Sequence, residues 1–274
     1  MKHRDDHRNK AIGIFDSGIG GLTVAAEIFK ILPNENVIYF GDTGRYPYGP
    51  RSPEIVRRFA RQDVNFLLEK GVKFIVIACN TASAAALDYI KKIYNIPMIG
   101  VIEPGASAAI ASTKNRRVGV IGTTGTINSS SYTKALINFD SSLKITVKAC
   151  PLFVPIVEEA YTDRPAAKMI AEDYLADFRT KNIDTLILGC THYPLMKKLI
   201  GSIVGTDVKL IDSAESTAVA AKQALTEADL LNQKNSEGKK NFYVSDSPDK
   251  FKMIAKQFLG KRLSKVELID INSY

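Results

Sequence analysis

Short apolar runs rich in β-branched residues alternate along the chain with longer stretches whose apolar positions recur at helical spacing. This is the pattern of βα units around a largely parallel sheet. The runs at 11–15, 37–40, 74–79, 98–101, 117–121, 145–149, 185–189 and 208–211 read as strands, with helices in most of the gaps. The best-marked helix opens on Ser52 as N-cap with Pro53 in its first turn, carries Ile55, Phe59 and Leu67, and stops at Gly71. Beyond residue 211 the pattern predicts an Ala-rich helix over 213–231, a polar loop over 232–240, a strand near 241–244 and a helix near 248–259.

The pattern also repeats. AIGIFDSGIGG leads to FIVIACNTASA in one copy, and RVGVIGTTGTI leads to TLILGCTHYPL in the other. The interval from turn to cysteine is 63 residues between Asp16 and Cys79, and 67 between Thr123 and Cys190. The expected fold is therefore α/β: two similar α/β domains with largely parallel sheets, related by a pseudo-twofold axis. Ligands of open α/β sheets bind outside the carboxyl ends of the strands, so the site is expected in the interdomain cleft with one thiol from each half.

Composition narrows this picture. A length of 274 residues suits two medium domains or one large one, and 45% hydrophobic with 24% charged residues excludes wholesale disorder and fibrous repeats. With 37 Lys and Arg against 29 Asp and Glu, the net charge of +8 favours anionic partners without separating nucleic acid from a small acid. The basic residues are scattered, with modest clusters at both ends, which reads as a solvated surface requiring no nucleic acid. Residues 1–10 are polar and lack the apolar core of a secretory signal, and no apolar stretch approaches 18 residues, so a cytoplasmic, membrane-free protein is expected. Three widely spaced cysteines without C-x-x-C argue for thiols over disulfides.

Cys79 and Cys190 each end an apolar run and open a polar turn, Asn80-Thr81 and Thr191-His192. Cys150 lacks polar neighbours and is assigned to the core. A thiol with pKa about 8.5 needs a base, donors or a helix N-terminus to be reactive, and what looks like a helix start follows each of the pair. His192, outside the first ten residues the only histidine, is the candidate acid or base beside Cys190. The Asp16–Gly21 turn lacks the Lys-Ser/Thr of a phosphate loop, and the Asp16 carboxylate suits an ammonium or a thiol partner better. The turn-rich loop 41–50 and the hydroxyls of Thr123 and Thr126 are further candidates. Each residue taken singly also has a structural reading, as a core cysteine, a satisfied buried histidine, an Asx turn or a surface loop.

GIFDSGIGGL, YFGDTGRYPYG, ACNTASA, GTTGTI, VPIVE and GCTHYPL, in this order, resemble the glutamate racemase family of the cofactor-independent aspartate/glutamate racemase superfamily. That resemblance implies interconversion of L- and D-glutamate by two bases, with no pyridoxal phosphate and no metal, Cys79 and Cys190 standing on opposite faces of Cα. It assigns substrate contacts to Asp16, Ser17, Pro47, Tyr48, Gly49, Asn80, Thr81, Thr123, Thr126, Thr191 and His192. It places Asp16 near Cys79 and both Glu158 and His192 near Cys190, with Asp42 in support. It further implies D-glutamate supply for peptidoglycan synthesis in a bacterium and a homodimer. One domain is expected at 1–103 with 214–274, because the C-terminal helix returns, and the other at 104–213. Three alternatives stay open: an aspartate or hydantoin substrate, a zinc site built from Cys79, Cys190, His192 and Asp16, and a non-enzymatic ligand- or DNA-binding protein.

Overall fold

The first strands are apolar almost without interruption because both of their faces are covered, as in parallel sheets flanked by helices. A computed structural model describes residues 7–260, 263 and 265–274. Residues 1–6 of the polar N-terminal stretch and residues 261, 262 and 264 in the C-terminal basic cluster lie outside the described residues. The chain runs β1 (Ile12–Asp16), α1 (Leu22–Ile31), β2 (Val37–Gly41), α2 (Pro53–Glu69), β3 (Phe74–Ile77), α3 (Asn80–Lys91), β4 (Met98–Gly100) and α4 (Ile102–Ser112). It continues through β5 (Arg117–Gly122), α5 (Thr124–Asn128), α6 (Ser131–Phe139), β6 (Lys144–Ala149), α7 (Phe153–Glu158), α8 (Pro165–Thr180) and β7 (Thr185–Gly189). A 3₁₀ turn (Tyr193–Met196), α9 (Lys197–Val204), β8 (Lys209–Asp212), α10 (Ser213–Glu227), β9 (Lys240–Val244), α11 (Pro248–Leu259) and β10 (Glu267–Leu268) follow.

Two parallel sheets result, ordered β10-β9-β2-β1-β3-β4 and β6-β5-β7-β8. Within the longer sheet β2-β1-β3-β4 has the same order as the whole of the shorter one, so the sequence repeat is a repeat of topology. Cys79 follows β3 and Cys190 follows β7, which occupy equivalent places in the two sheets. Two helices also change sides. Ile102, Ala106 and Ala109 of α4 pack with Val118, Val120 and Ile187 of the shorter sheet. Ala214, Ala218, Ala221 and Leu225 of α10 pack with Ile12, Ile14 and Phe74 of the longer one. The small alanine faces let each helix lie close to a sheet that precedes or follows its own, tying the halves together through apolar burial.

Local chemistry sets the ends of elements near the site. Ser52 caps α2 by accepting from the Ile55 amide at 3.4 Å, with Pro53 inside the first turn, and Gly71 adopts φ +73° just beyond the end. Asp212 caps α10 by accepting from the Ala214 amide at 3.0 Å. Several sequence expectations shift. The strand expected to reach Cys79 stops at Ile77, because Cys79 serves as the N-cap of α3. The helix expected to reach residue 231 ends at Glu227, where Asp229 turns to φ 56° and the Leu230 amide bonds back to the Leu225 carbonyl. β10 is two residues long, too short to leave a periodic signal. Cys150 is fully buried, packed with Ile121, Leu186 and Leu188 of the shorter sheet, as its apolar context indicated. Among the described residues no helix is long and apolar enough to cross a membrane.

Candidate active site

The turns after β1, β2, β3, β5 and β7 converge on a cavity of about 490 Å3 between the two sheets. Both Cys79 and Cys190 line it, together with Ser17, Pro47, Tyr48, Gly49, Asn80, Thr81, Thr123, Glu158, Thr191 and His192. A larger groove of about 1070 Å3 runs past α3, α4, α6 and α10, but no thiol or imidazole faces it. The smaller cavity is the candidate site because the reactive groups are there.

On the first half, Cys79 caps α3, its sulfur accepting from the Ala82 amide at 3.4 Å and its thiol donating to Ser17 Oγ at 3.6 Å. The free amides of a helix's first turn, added to the dipole, make this corner a ready seat for a carboxylate. Burial, followed by the neighbouring Asp16 charge, pushes the Cys79 thiol up to about 12, so it rests protonated. Asp16 is fully buried and accepts from the Gly18 amide at 3.0 Å, and burial raises its pKa above the usual carboxylate value.

The second half differs. No α-helix starts at Cys190: the 3₁₀ turn intervenes, and Pro194 within it has no N–H to offer. The helix start expected after Cys190 is thus replaced by an imidazole. Cys190 Sγ stands 3.8 Å from His192 Nδ1, and His192 Nε2 pairs with Glu158 Oε1 at 2.9 Å. Burial opposes the charge on His192, yet its hydrogen bonds to Cys190 and Glu158 outweigh that and push it up to about 10. An imidazolium therefore stands beside the sulfur at neutral pH, oriented by a carboxylate. Tyr46, which the sequence reading did not single out, completes this side: its ring lies 6.1 Å from that of His192, and its hydroxyl is within hydrogen-bonding reach of Glu158. Its one trace in the sequence is its place in the Tyr-Pro-Tyr-Gly loop.

Hydroxyls join the halves. Thr81 Oγ1 lies 2.9 Å from Thr123 Oγ1 and 3.3 Å from Thr126 Oγ1, and the Gly125 amide donates to the Gly49 carbonyl at 2.9 Å. Asp16 and Thr126 lie directly behind the lining: the Thr191 hydroxyl donates to Asp16 at 3.5 Å, and Thr126 Oγ1 lies 3.0 Å from Thr123 Oγ1. Asp42 is tied into the loop that follows β2. Its carboxylate accepts from Arg45 Nε at 2.6 Å, from Ser245 Oγ at 2.7 Å and from the Tyr48 hydroxyl, which also reaches Asp63 at 3.0 Å. Burial, then the Asp42 charge, holds Asp63 well above the usual carboxylate range. This buried cluster fixes the Pro47–Gly49 rim from beneath. Pro151, Val154, Pro155 and Lys250 add lining that the sequence reading did not assign to the site.

Gly20 packs tightly against the other half, since a Cβ there would come within 2.5 Å of His192 Nδ1 and collide with the Thr191 hydroxyl. Gly20→Ala is expected to displace His192 and lower kcat at least about tenfold, by the sensitivity of catalysis to misplacement of about 1 Å. Steady-state kinetics beside a thermal melt checks this; unchanged kcat would mean that the imidazole is not held where the geometry places it. Among the described residues, no group of three or more His, Cys, Asp and Glu side chains is arranged to hold a metal ion.

The profile of a family described as Asp/Glu/Hydantoin racemase matches residues 21–221. Over 264 residues the chain is 49% identical to a glutamate racemase from Geobacter metallireducens, covering 96% of this chain and 98% of that protein. The structure is similar to that of glutamate racemase isoform RacE1 from Bacillus anthracis, with TM-score 0.93, 44% identity and coverage of 96% and 98% of the two chains. It is also similar to glutamate racemase from Francisella tularensis in complex with D-glutamate, with TM-score 0.91, 41% identity and coverage of 97% and 100%.

Proposed function

Because the chain belongs to the Asp/Glu/hydantoin racemase family and is an amino-acid racemase, we propose that it interconverts L- and D-glutamate with Cys79 and Cys190 as the two bases. The observation that carries this reading is that two thiols, delivered by equivalent strands of two sheets, line one cavity of amino-acid size. Inversion requires a proton to leave one face of Cα and another to arrive on the opposite face. One thiolate takes the Cα proton and becomes a thiol, leaving its electron pair on Cα and the adjoining carboxylate. The other thiol then gives its proton to the opposite face and becomes a thiolate, so each turnover exchanges the protonation states of the two cysteines.

The surroundings of the two sulfurs suggest the resting assignment. Cys79 is the thiol, held neutral by burial beside Asp16, and the imidazolium of His192, 3.8 Å from Cys190, meets the negative charge that sulfur carries when it acts as the base. In the reverse direction, a substrate ammonium arriving next to Cys79 supplies the positive charge that side lacks. The first-turn amides of α3 and the Asn80 and threonine donors hold the carboxylate, where developing negative charge is met by donors already in place. The reaction as proposed draws on no cofactor. Two units, 1–103 with 214–274 and 104–213, form the cleft in this reading, supported by the membership of the strands in the two sheets. The product D-glutamate would supply peptidoglycan synthesis.

Circular dichroism of D- and of L-glutamate incubated with purified protein, without pyridoxal phosphate and with chelator, tests the proposal. Decay of both signals to zero is expected. Folded protein that leaves both signals constant while racemising aspartate would move the substrate; no turnover of either would overturn the reading.

A further inference from the structure

One polar group in the cavity wall has nothing to bond. Asn80 is 2% exposed and its Nδ2 has no hydrogen-bond partner, whereas its Oδ1 accepts from the Tyr132 hydroxyl at 2.7 Å. Leaving a buried amide N–H₂ unsatisfied is costly, and such an atom at a binding site points to a ligand that completes it. Tyr132 comes from α6 on the other half of the molecule, is itself buried and does not line the cavity. Ser213, at the start of α10, lies within hydrogen-bonding reach of the same hydroxyl. Gly105 of α4 leaves the space for it, since a Cβ there would come within 3.1 Å of Tyr132 Oη.

An amide side chain can present either its oxygen or its nitrogen, and the end that is tied down decides which end is left for a ligand. Resting on the glutamate reading above, we propose that Tyr132 is a positioning residue for substrate recognition: by donating to Asn80 Oδ1 it turns the Asn80 N–H₂ toward the cavity to hold a substrate carboxylate. Because the Tyr132 hydroxyl donates to Asn80 Oδ1, the amide cannot turn over without losing that bond. Without the tyrosine hydroxyl the amide is free to present its oxygen, which repels the carboxylate it should bind.

Tyr132→Phe, which keeps the ring and its packing, is expected to raise KM for both glutamate enantiomers about tenfold, with kcat changing less, as befits a hydrogen bond to a charged group. Asn80→Ala is expected to raise KM by at least as much, and adding Tyr132→Phe to it is expected to raise KM no further. Asn80→Asp, which keeps an acceptor for Tyr132 and puts an oxygen where the donor was, is expected to weaken binding at least as far as Asn80→Ala. A thermal melt accompanies each variant. A purely structural tyrosine would cost the same factor in both backgrounds, and that additivity, an unchanged KM in Tyr132→Phe, or a wild-type KM in Asn80→Asp would each overturn the proposal. Absence of glutamate racemisation by the wild-type protein would instead overturn the reading on which it rests.

Discussion

Replacing either Cys79 or Cys190 by serine is expected to lower kcat for racemisation by about 10³–10⁴-fold, roughly 4–5.5 kcal/mol of transition-state stabilisation at about 1.4 kcal/mol per decade. The hydroxyl fits the space of the thiol but is far less acidic, so at neutral pH it cannot replace a thiolate as base and is a poorer donor of the returning proton. Both sulfurs are buried, one in the cap of α3 and the other beside His192, so the small change in size leaves packing almost intact. The more telling measurement is exchange of the Cα proton with deuterium from solvent. Each serine variant keeps one working thiol, on one face, and is expected to exchange one enantiomer faster than the other, with the preference reversed between the two variants. Loss of both exchanges to the same extent in either variant would contradict a division of labour between opposite faces.

His192→Asn is expected to lower kcat by about 10²–10³-fold, in the range for a positioned acid or base. His192 is pushed up to about 10, burial working against the charge and the hydrogen bonds to Cys190 and Glu158 prevailing. Activity that depends on the imidazolium is therefore retained through neutral pH and lost as pH rises through about 10. In Glu158→Gln one of the groups that raise this pKa is gone, so the alkaline fall is expected at lower pH. Stability follows the same sign. A histidine raised from 6.5 to about 10 contributes stability that is fully present below 6.5 and disappears as pH climbs through about 10. The urea midpoint of the wild-type protein should accordingly fall across that window more than that of His192→Asn. An alkaline limb identical in the wild type, His192→Asn and Glu158→Gln would remove His192 from the chemistry.

Much of this arrangement is legible along the chain because it is local. β1, β3, β5 and β7 are recognisable as apolar runs, and the residues at their carboxyl ends announce themselves as Asp16, Cys79, Thr123 and Cys190. The closely matched spacing of the two copies anticipates the shared strand order β2-β1-β3-β4 and β6-β5-β7-β8. Other parts are illegible for equally physical reasons. Tyr46 reads as one more aromatic in a turn-rich loop, and its closeness to His192 depends on how the halves face one another. Asp42 reads as a carboxylate near a site, whereas its bonds to Arg45 and Ser245 make it part of the loop's foundation.

By itself the sequence determined the α/β class, the duplication and the candidate thiols and imidazole that line the cavity, since hydrophobic period, capping and strand-end chemistry are written within a few residues of where they act. Only the tertiary structure decided how those side chains are charged and aimed. The unequal surroundings of two similar cysteines come from what packs against each: Asp16 and Ser17 at Cys79, His192 and Glu158 at Cys190. The direction of the Asn80 amide is set by a tyrosine 52 residues away on the other half. Burial and the meeting of distant residues shift a pKa or select an amide's orientation by as much as a local motif does, and neither can be read from neighbours in sequence.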